Sequence, residues 1–328
     1  MPPALVTFII PHWNNYLLLE KCLLSLRRQT RKDFSITVVD NGSTDGSSAL
    51  LGSRFPEVRL IRLASNSGFA RAANLGLYSA RSPYLAFLNN DVRLDPAWLE
   101  LMLQKAEAHP EAGAIASKLY RERTGEKILS STGNRILKSG FGRDRGGGET
   151  DRGQYDRDDR VFWASGAACL IPARLFKEIG EWDEDFFAYF EDIDLGLRAR
   201  LRGIECRYQP EAVGYHVGAA TGRAYPELRA GLQFRNAAMI VLKDFPAPLI
   251  EANISAIISA QLRALIYLSL REHSRPVFRS WLYLLRQRKS LLKKRRLIQK
   301  NRQVSSAQIA ALFEQVISRK TSPTTLNI

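Results

Sequence analysis

Cysteine is scarce: Cys22, Cys169 and Cys206 are the only three in 328 residues. An odd number, set among apolar or mixed neighbours and without metal-site spacing, excludes a zinc module and predicts buried thiols in a reducing cytoplasm. Long uncharged runs are missing as well. The best candidate, PLIEANISAIISAQLRALIYLSL (248–270), is broken by Glu251, Asn253, Gln261 and Arg263, which argues against a membrane-spanning helix. The start, MPPALVTFIIPHWNN, has no basic n-region before its strand-like run, so no signal peptide is expected. The first strand is not followed by the glycine-rich turn that a nicotinamide-dependent oxidoreductase needs, and no GK[ST] ending marks a P-loop. No Ser-His or Cys-His pairing, internal repeat or nucleic-acid module is visible, and no nucleic-acid partner is expected.

What is abundant is positive charge, and it is uneven. The net charge is +15. Residues 246–328 hold 15 Lys or Arg against three acids, and the excess peaks in RQRKSLLKKRR (286–296). Such a segment calls for an anionic partner. Upstream, strand-like and helix-like patterns alternate: LVTFIIP, SITVVD, VRLIRLA, YLAFLNND and AGAIASKLY are separated by helical segments such as YLLLEKCLLSLRRQT and DPAWLELMLQKAEAHP. Repeated βα units predict a mostly parallel sheet with helices on both faces, and ligands at the carboxyl ends of its strands. From 121 to 160 glycine and alternating charge predict an exposed, mobile loop.

Three acidic clusters fall at predicted strand ends. Asp40 closes SITVVD, with Asp45 five residues on; a carboxylate there suits a ribose or base edge, or else an Asx-turn into a helix cap. Asp91 ends FLNND behind Asn89 and Asn90, oxygen donors suited to a hard divalent cation shared with phosphate, or to a strand-end turn. Between them Asn66 and Gly68 precede a helix whose amides suit a phosphate, with Arg71 one turn in. The third cluster, Glu191, Asp192 and Asp194, follows Phe186, Phe187, Tyr189 and Phe190. One of these acids caps the helix; a carboxylate at an apolar rim also resists ionisation, as a general base near neutrality must.

In order and spacing, TFIIPHWNN, VVDNGSTDGS, NSGFARAANLG, FLNNDV, SGAACLIPARLF and FAYFEDIDLGLRARLRG resemble the family 2 inverting glycosyltransferases of the GT-A fold, most closely the bacterial rhamnosyltransferase-like members that build surface polysaccharides. The likeness covers about residues 4–245. It implies an α/β GT-A domain over 1–245, with a nucleotide-sugar half to about 120 and an acceptor half from about 160 to 245, followed by a basic helical extension, 246–328. It implies that Asp192 is the catalytic base with Glu191 orienting the acceptor or supporting the base. Donor binding then falls to Pro11, Asn14, Asp40, Asn66, Gly68, Asn74, Asn89, Asn90 and Asp91, and a divalent cation, Mg²⁺ or Mn²⁺, to Asp91 and His216. Asn89 departs from the family's first acid, which places the cation's hold on Asp91. Trp163, Trp182 and Tyr189 are expected as an acceptor-side wall, with core packing the alternative for such aromatics. The expected donor is dTDP-L-rhamnose or a UDP-hexose, and the acceptor a glycan or lipid-linked saccharide. The tail is expected to dock on the anionic inner face of the cell membrane, leaving a cytoplasmic, peripheral enzyme. A catalytically inactive nucleotide-sugar-binding or scaffold protein of the same fold is the alternative.

Overall fold

In the run VTFIIPH every residue but Pro11 is buried, and this makes it a central strand, β1 (Val6–His12): apolar on both faces, it belongs inside a sheet covered by helices on each side. The computed structural model describes residues 4–122, 126–157, 160–218, 225–270 and 274–313. The chain continues through α1 (Tyr16–Arg27), β2 (Phe34–Asp40), α2 (Ser47–Arg54), β3 (Val58–Arg62), α3 (Phe69–Ser79), β4 (Tyr84–Leu88), β5 (Val92–Leu94), α4 (Trp98–Ala108) and β6 (Ala114–Arg121). Short strands follow: β7 (Leu129–Ser131), β8 (Asn134–Ile136), β9 (Gly142–Asp144) and β10 (Arg160–Val161). Then come β11 (Ala168–Pro172), α5 (Arg174–Ile179), α6 (Glu191–Leu201) and β12 (Cys206–His216). The helical tail comprises α7 (Pro226–Lys243), α8 (Ala247–Ala252), α9 (Ile254–Leu270), α10 (Ser274–Lys300) and α11 (Ser306–Ala310).

The sheet order is β10-β12-β6-β11-β4-β1-β2-β3. Strands β4, β1, β2 and β3 are parallel, as the βα pattern predicts. β11 then runs antiparallel to both β4 and β6. This reversal brings the turn before β11 beside the carboxyl end of β4, where the acidic clusters gather. One face of the sheet is covered by α1 and α4 through Leu19, Leu23, Trp98 and Met102, at helical spacing. The other is covered by α3 and α6 through Ala70, Ala73, Leu195 and Leu197.

Two expectations change. The stretch 121–160, expected as an exposed, mobile loop, is for the most part folded. β7 pairs with β6, β8 pairs with β9, and Leu129, Thr132, Asn134 and Ile136 are buried. Some of its charge is spent in contacts: Asp151 and Asp156 both pair with the buried Lys118, while Tyr120 donates to Asp151. The tail, expected as an extension after residue 245, shares a core with the sheet domain: Phe245, Leu249, Leu284, Leu291 and Phe313 join Leu195 and Leu197 in one cluster. Arg295 donates to the carbonyls of Leu242 (3.0 Å) and Phe245 (2.7 Å), and the amide of Gln303 to Leu201 O at 2.8 Å. The last residues of GYHVGAATG and of the tail, from 314 on, lie outside the described residues. Among the described residues no helix is long and apolar enough to cross a membrane.

Candidate active site

The Asn-Asn-Asp turn leaves β4 at the sheet's carboxyl edge. The Asn89 amide donates to Ala167 O at 2.9 Å, and Val92 N closes the turn on Asn89 O at 3.2 Å. Asn90 is held at 2.8 Å by Nδ1 of His12, the buried last residue of β1. Burial drives His12 down to about 4 against the pull of Asp40 and Asp45, so the ring is neutral and Nδ1 accepts the Asn90 amide. The register of β12 on β5 sets His216 opposite Val92, next to Asp91. His216 Nε2 lies 3.2 Å from Asp91 Oδ1, and its Nδ1 lies 3.3 Å from Ser130 Oγ. Burial lowers the His216 pKa, but the bond to Asp91 and that charge outweigh it and the net direction is upward.

This pair fits a divalent cation. Two adjacent ligands of an octahedral ion at about 2.1 Å stand roughly 3.0 Å apart. A carboxylate and an imidazole leave most coordination positions to diphosphate oxygens and water. Among the described residues no group of three or more His, Cys, Asp or Glu forms a closed metal cage.

Across the turn stands Asp192, in the first turn of α6. Its Oδ2 accepts from Asn134 Nδ2 (2.8 Å) and from the Gly166 amide (3.0 Å), and its Oδ1 from the Ile193 amide (2.8 Å). Burial raises its pKa, and these hydrogen bonds recover only part of that shift. Glu191 is buried, its Oε2 has no hydrogen-bond partner, and burial followed by the Asp192 charge pushes it well above the ordinary carboxylate value. The two acids therefore divide: Glu191 holds its proton, while Asp192, hydrogen-bonded and partly exposed, is the one suited to ionise. Asp194 has a different task, pairing with Arg198 (2.8 Å) and with Lys243 in the interior.

The two halves share a wall. The loop Ser165–Ala167 receives the Asn89 amide on one residue and donates to Asp192 from the next. Asp144, on β9, feels the charges of Asp192 and of His216. The Asn-Asn-Asp turn and Asp192 are thus tied to the same short loop, with Asp144 near both.

On the donor side the loops after β1 and β2 clasp each other. The Asn14 amide donates to Ser43 Oγ and Asn14 Oδ1 accepts from Thr44 N, both at 2.8 Å, while Pro11 sits in register with Val39. Asp40 is buried with its oxygens turned onto the Ser43 amide (2.9 Å) and the Ser48 hydroxyl. It shapes this lip, and each of its two oxygens retains acceptor capacity toward the expected base or ribose. Asn66 Oδ1 accepts from Asn41 Nδ2 and from Gly68 N, each at 3.0 Å. At the start of α3, where a phosphate site was expected, one first-turn amide is already used: Ala70 N donates to Phe187 O at 3.2 Å. Asn74 is buried and bridges to Trp182 O (2.9 Å), Trp182 N (3.1 Å) and Glu184 (3.1 Å), so it ties the donor half to the loop before α6 and is not placed to touch the donor.

Trp163 and Trp182 do not form the expected wall. Both rings are core: Trp163 lies against Gly196 of α6, and Trp182 stacks edge-on with Phe87 at 5.0 Å and Phe69 at 5.8 Å. Burying so much apolar area outweighs exposing it to a sugar. Tyr189 remains partly exposed, with Arg229 5.9 Å from its ring. Sequence reasoning missed Asn134, Gly166 and His12. His12 and Gly166 lay within singled-out motifs, TFIIPHWNN and SGAACLIPARLF, without being given a role; Asn134 was hidden in the segment read as a loop.

An Asp-His pair suited to a cation lies at the carboxyl edge of a mostly parallel α/β sheet, with the Asp192 carboxylate held by the adjoining loop. The family model for glycosyl transferase family 2 matches residues 7–180, and the chain belongs to that family: it is a glycosyltransferase. The N-acetylglucosaminyl-diphospho-decaprenol L-rhamnosyltransferase of Mycobacterium tuberculosis is 32% identical over 233 residues, 62% of this chain and 74% of that protein. The O-antigen biosynthesis protein RfbC of Myxococcus xanthus is 27% identical over 234 residues, 68% of this chain but 18% of its own length. Among solved structures, the mannosyltransferase PcManGT of Pyrobaculum calidifontis with GDP-Man and Mn²⁺ aligns with a TM-score of 0.54 at 17% identity, over 94% of this chain and 85% of that one. GalNAc-T7 with UDP, GalNAc and Mn²⁺ aligns at 0.58 and 14% identity, over 73% of this chain and 48% of that one. These likenesses establish the GT-A fold.

Proposed function

We propose that the protein transfers a sugar, rhamnosyl by preference, from a nucleoside-diphosphate sugar to a hydroxyl of a lipid-linked saccharide in surface polysaccharide synthesis, with inversion at the anomeric carbon. What supports this is that the turn carrying Asp91 and the carboxylate of Asp192 are tied to one short loop, Ser165–Ala167, through the Asn89 and Gly166 amides, and we take the gap between the Asp91–His216 pair and Asp192 as the place of the sugar. In-line displacement needs the incoming hydroxyl opposite the departing diphosphate, so the two groups must lie on opposite sides of the sugar. Asp91 and His216 would hold Mg²⁺ or Mn²⁺, which when bound neutralises charge on the leaving diphosphate. Asp192 takes the acceptor proton through whichever oxygen faces the gap, while Asn134 and Gly166 fix its carboxylate plane. Asn89 and Asn90 line the donor side, and the half-exposed Tyr189 lies on the acceptor side. An inactive scaffold would have no need to keep both Asp91 and Asp192 on one gap.

The tail supports docking on an anionic leaflet. On α9, Ile254, Ile258, Leu262 and Ile266 are exposed at four-residue spacing. On α10, Phe278, Trp281, Leu285 and Leu292 share a face with the exposed Arg288, Lys289 and Arg296. Apolar residues interleaved with cations suit insertion between acidic headgroups, and such docking would place the site beside a lipid-linked acceptor on the inner face of the membrane.

A panel of nucleotide sugars with Mg²⁺ or Mn²⁺, scored by thermal shift and by nucleoside diphosphate release, tests the reading. Release from dTDP-L-rhamnose is expected. Failure of every donor to bind or turn over would overturn it.

A further inference from the structure

We propose that Arg235 and Asn236 of α7, together with Lys294 of the tail helix α10, are positioning residues for the base: they hold the backbone that aims Asp192. The inference rests on reading Asp192 as the base, and it gives the tail a role in catalysis itself.

The backbone leading into α6 is strained. Phe187, Tyr189 and Phe190 all have positive φ, at 63°, 68° and 67°. Bulky residues leave that region unless their surroundings hold them there. Here the restraint comes from outside the segment, on five successive carbonyls. Asp185 O accepts from Arg235 Nη2 at 2.8 Å and from the Tyr283 hydroxyl at 3.3 Å. Phe186 O accepts from Arg235 Nη2 at 2.8 Å and Asn236 Nδ2 at 3.0 Å. Phe187 O takes the Ala70 amide. Ala188 O and Tyr189 O both take Asn236 Nδ2, at 2.9 and 2.6 Å. Asn236 is fully buried, and its own Oδ1 accepts from Arg235 Nε at 2.9 Å, which turns its amide toward the loop.

The side chains at the loop's start are anchored too. Lys294 Nζ reaches Asp183 at 2.5 Å and Asp185 at 2.7 Å, and Lys243 holds the other oxygen of Asp183 at 2.6 Å. Tyr283 and Lys294 both belong to α10, so the tail helix grips the segment that ends, a few residues later, in Glu191 and Asp192. A buried amide whose two N–H groups are shared among three carbonyls of one strained turn is more than packing requires. Any apolar side chain of similar size would fill the same space, but it would leave those carbonyls unpaired and the turn free to relax.

The test uses the full-length chain, an active donor and a saturating acceptor. Asn236→Asp keeps the shape and replaces the donor by an acceptor. Lys294→Gln removes a half-exposed cation while Lys243 still pairs Asp183, so the fold is kept. Lys294→Arg is the conservative control. Misaiming a reacting group by about 1 Å costs on the order of 100-fold. We therefore expect kcat to fall about 10- to 100-fold in Asn236→Asp and Lys294→Gln, with donor KM and nucleoside diphosphate affinity unchanged, and Lys294→Arg to recover the rate. Wild-type kcat in folded Asn236→Asp and Lys294→Gln would overturn the clamp. So would a loss that only follows the folded fraction, or one appearing equally in KM. Asp192→Asn run alongside separates the two ideas: if that variant turns over normally, the base reading fails; if it is dead while the clamp variants are normal, only the clamp fails.

Discussion

Glu191 and Asp192 are chain neighbours with opposite fates, and the cause is local. Asp192 gathers three donors and keeps an edge toward the gap, whereas one oxygen of Glu191 is sealed away without a partner. Because the folded pKa of Glu191 stands well above its ordinary 4.5, the folded chain keeps a proton that the unfolded chain releases. The unfolded state then binds fewer protons, so stability falls as pH rises from about 4.5 toward the raised value. Replacing Glu191 with Gln removes this drift. Thermal melts of Glu191→Gln are expected to match wild type near pH 4 and to exceed it by a margin that widens as pH rises above 4.5, until the raised pKa is reached. For Asp192 the raised pKa predicts that kcat climbs with pH on its acid limb as the carboxylate ionises. Asp192→Asn should lose about 10²- to 10⁴-fold in kcat, the usual share of a general base, with nucleoside diphosphate binding by thermal shift preserved. At this scale Asp91, Asp192 and His216 were legible as candidates because they sit at the turn after a strand, the start of a helix and the end of a strand, within recognisable motifs. Asn134 and Gly166 were not, since a fold-back of non-periodic chain brings them to Asp192. Trp163 and Trp182 misled because a stacking platform and a core residue have the same side chain.

Between elements, the site depends on how α3 meets the loop before α6. Gly68 lies at φ 90°, and a Cβ there would run into the Phe187 backbone. The helix start is therefore a docking point for a carbonyl, which takes up the Ala70 amide. Gly68→Ala combines an unfavourable backbone conformation with a backbone collision, and a loss of about 2 kcal/mol or more is expected in urea unfolding. Neighbouring glycines without such a contact, Gly52 for example, should tolerate alanine within about 0.5 kcal/mol. The parallel strands and their helices were readable from hydrophobic periodicity, since each βα unit repeats the same pattern. The antiparallel β11 was not: strand direction is set by pairing, and the apolar run ACLIP looks the same either way. His216→Ala tests the pairing of β12 with β5 at the site. Mn²⁺-dependent stabilisation of the nucleoside diphosphate complex should weaken about 10-fold or more, the scale of losing a ligand or its support.

At the scale of the molecule, the basic tail serves two surfaces at once. Its inner side completes the core through Leu284 and Leu291 and supplies Lys294, so deleting residues after 245 would strip α7 and would not report on docking alone. Composition exposed the charge but could not divide it between buried ion pairs and free cations, because both uses draw on the same residues of one helix. Point changes on the outer side avoid the difficulty. Ile258 and Leu262 are each about half exposed, at 51%, and lie away from the gap residues in the chain. Flotation of the full-length protein with vesicles containing anionic lipid should recover most of the wild type and little of Ile258→Glu/Leu262→Glu. Removing Arg288 and Lys289 together should cost about 2 kcal/mol of binding, at roughly 1 kcal/mol per cation near the surface, or on the order of 30-fold. That second loss should vanish on zwitterionic vesicles and shrink with salt, as a screened charge effect must. Transfer to a water-soluble acceptor should be unchanged in both variants. Equal recovery of wild type and variants on anionic vesicles would refute the membrane role and leave the tail as a structural brace for the base.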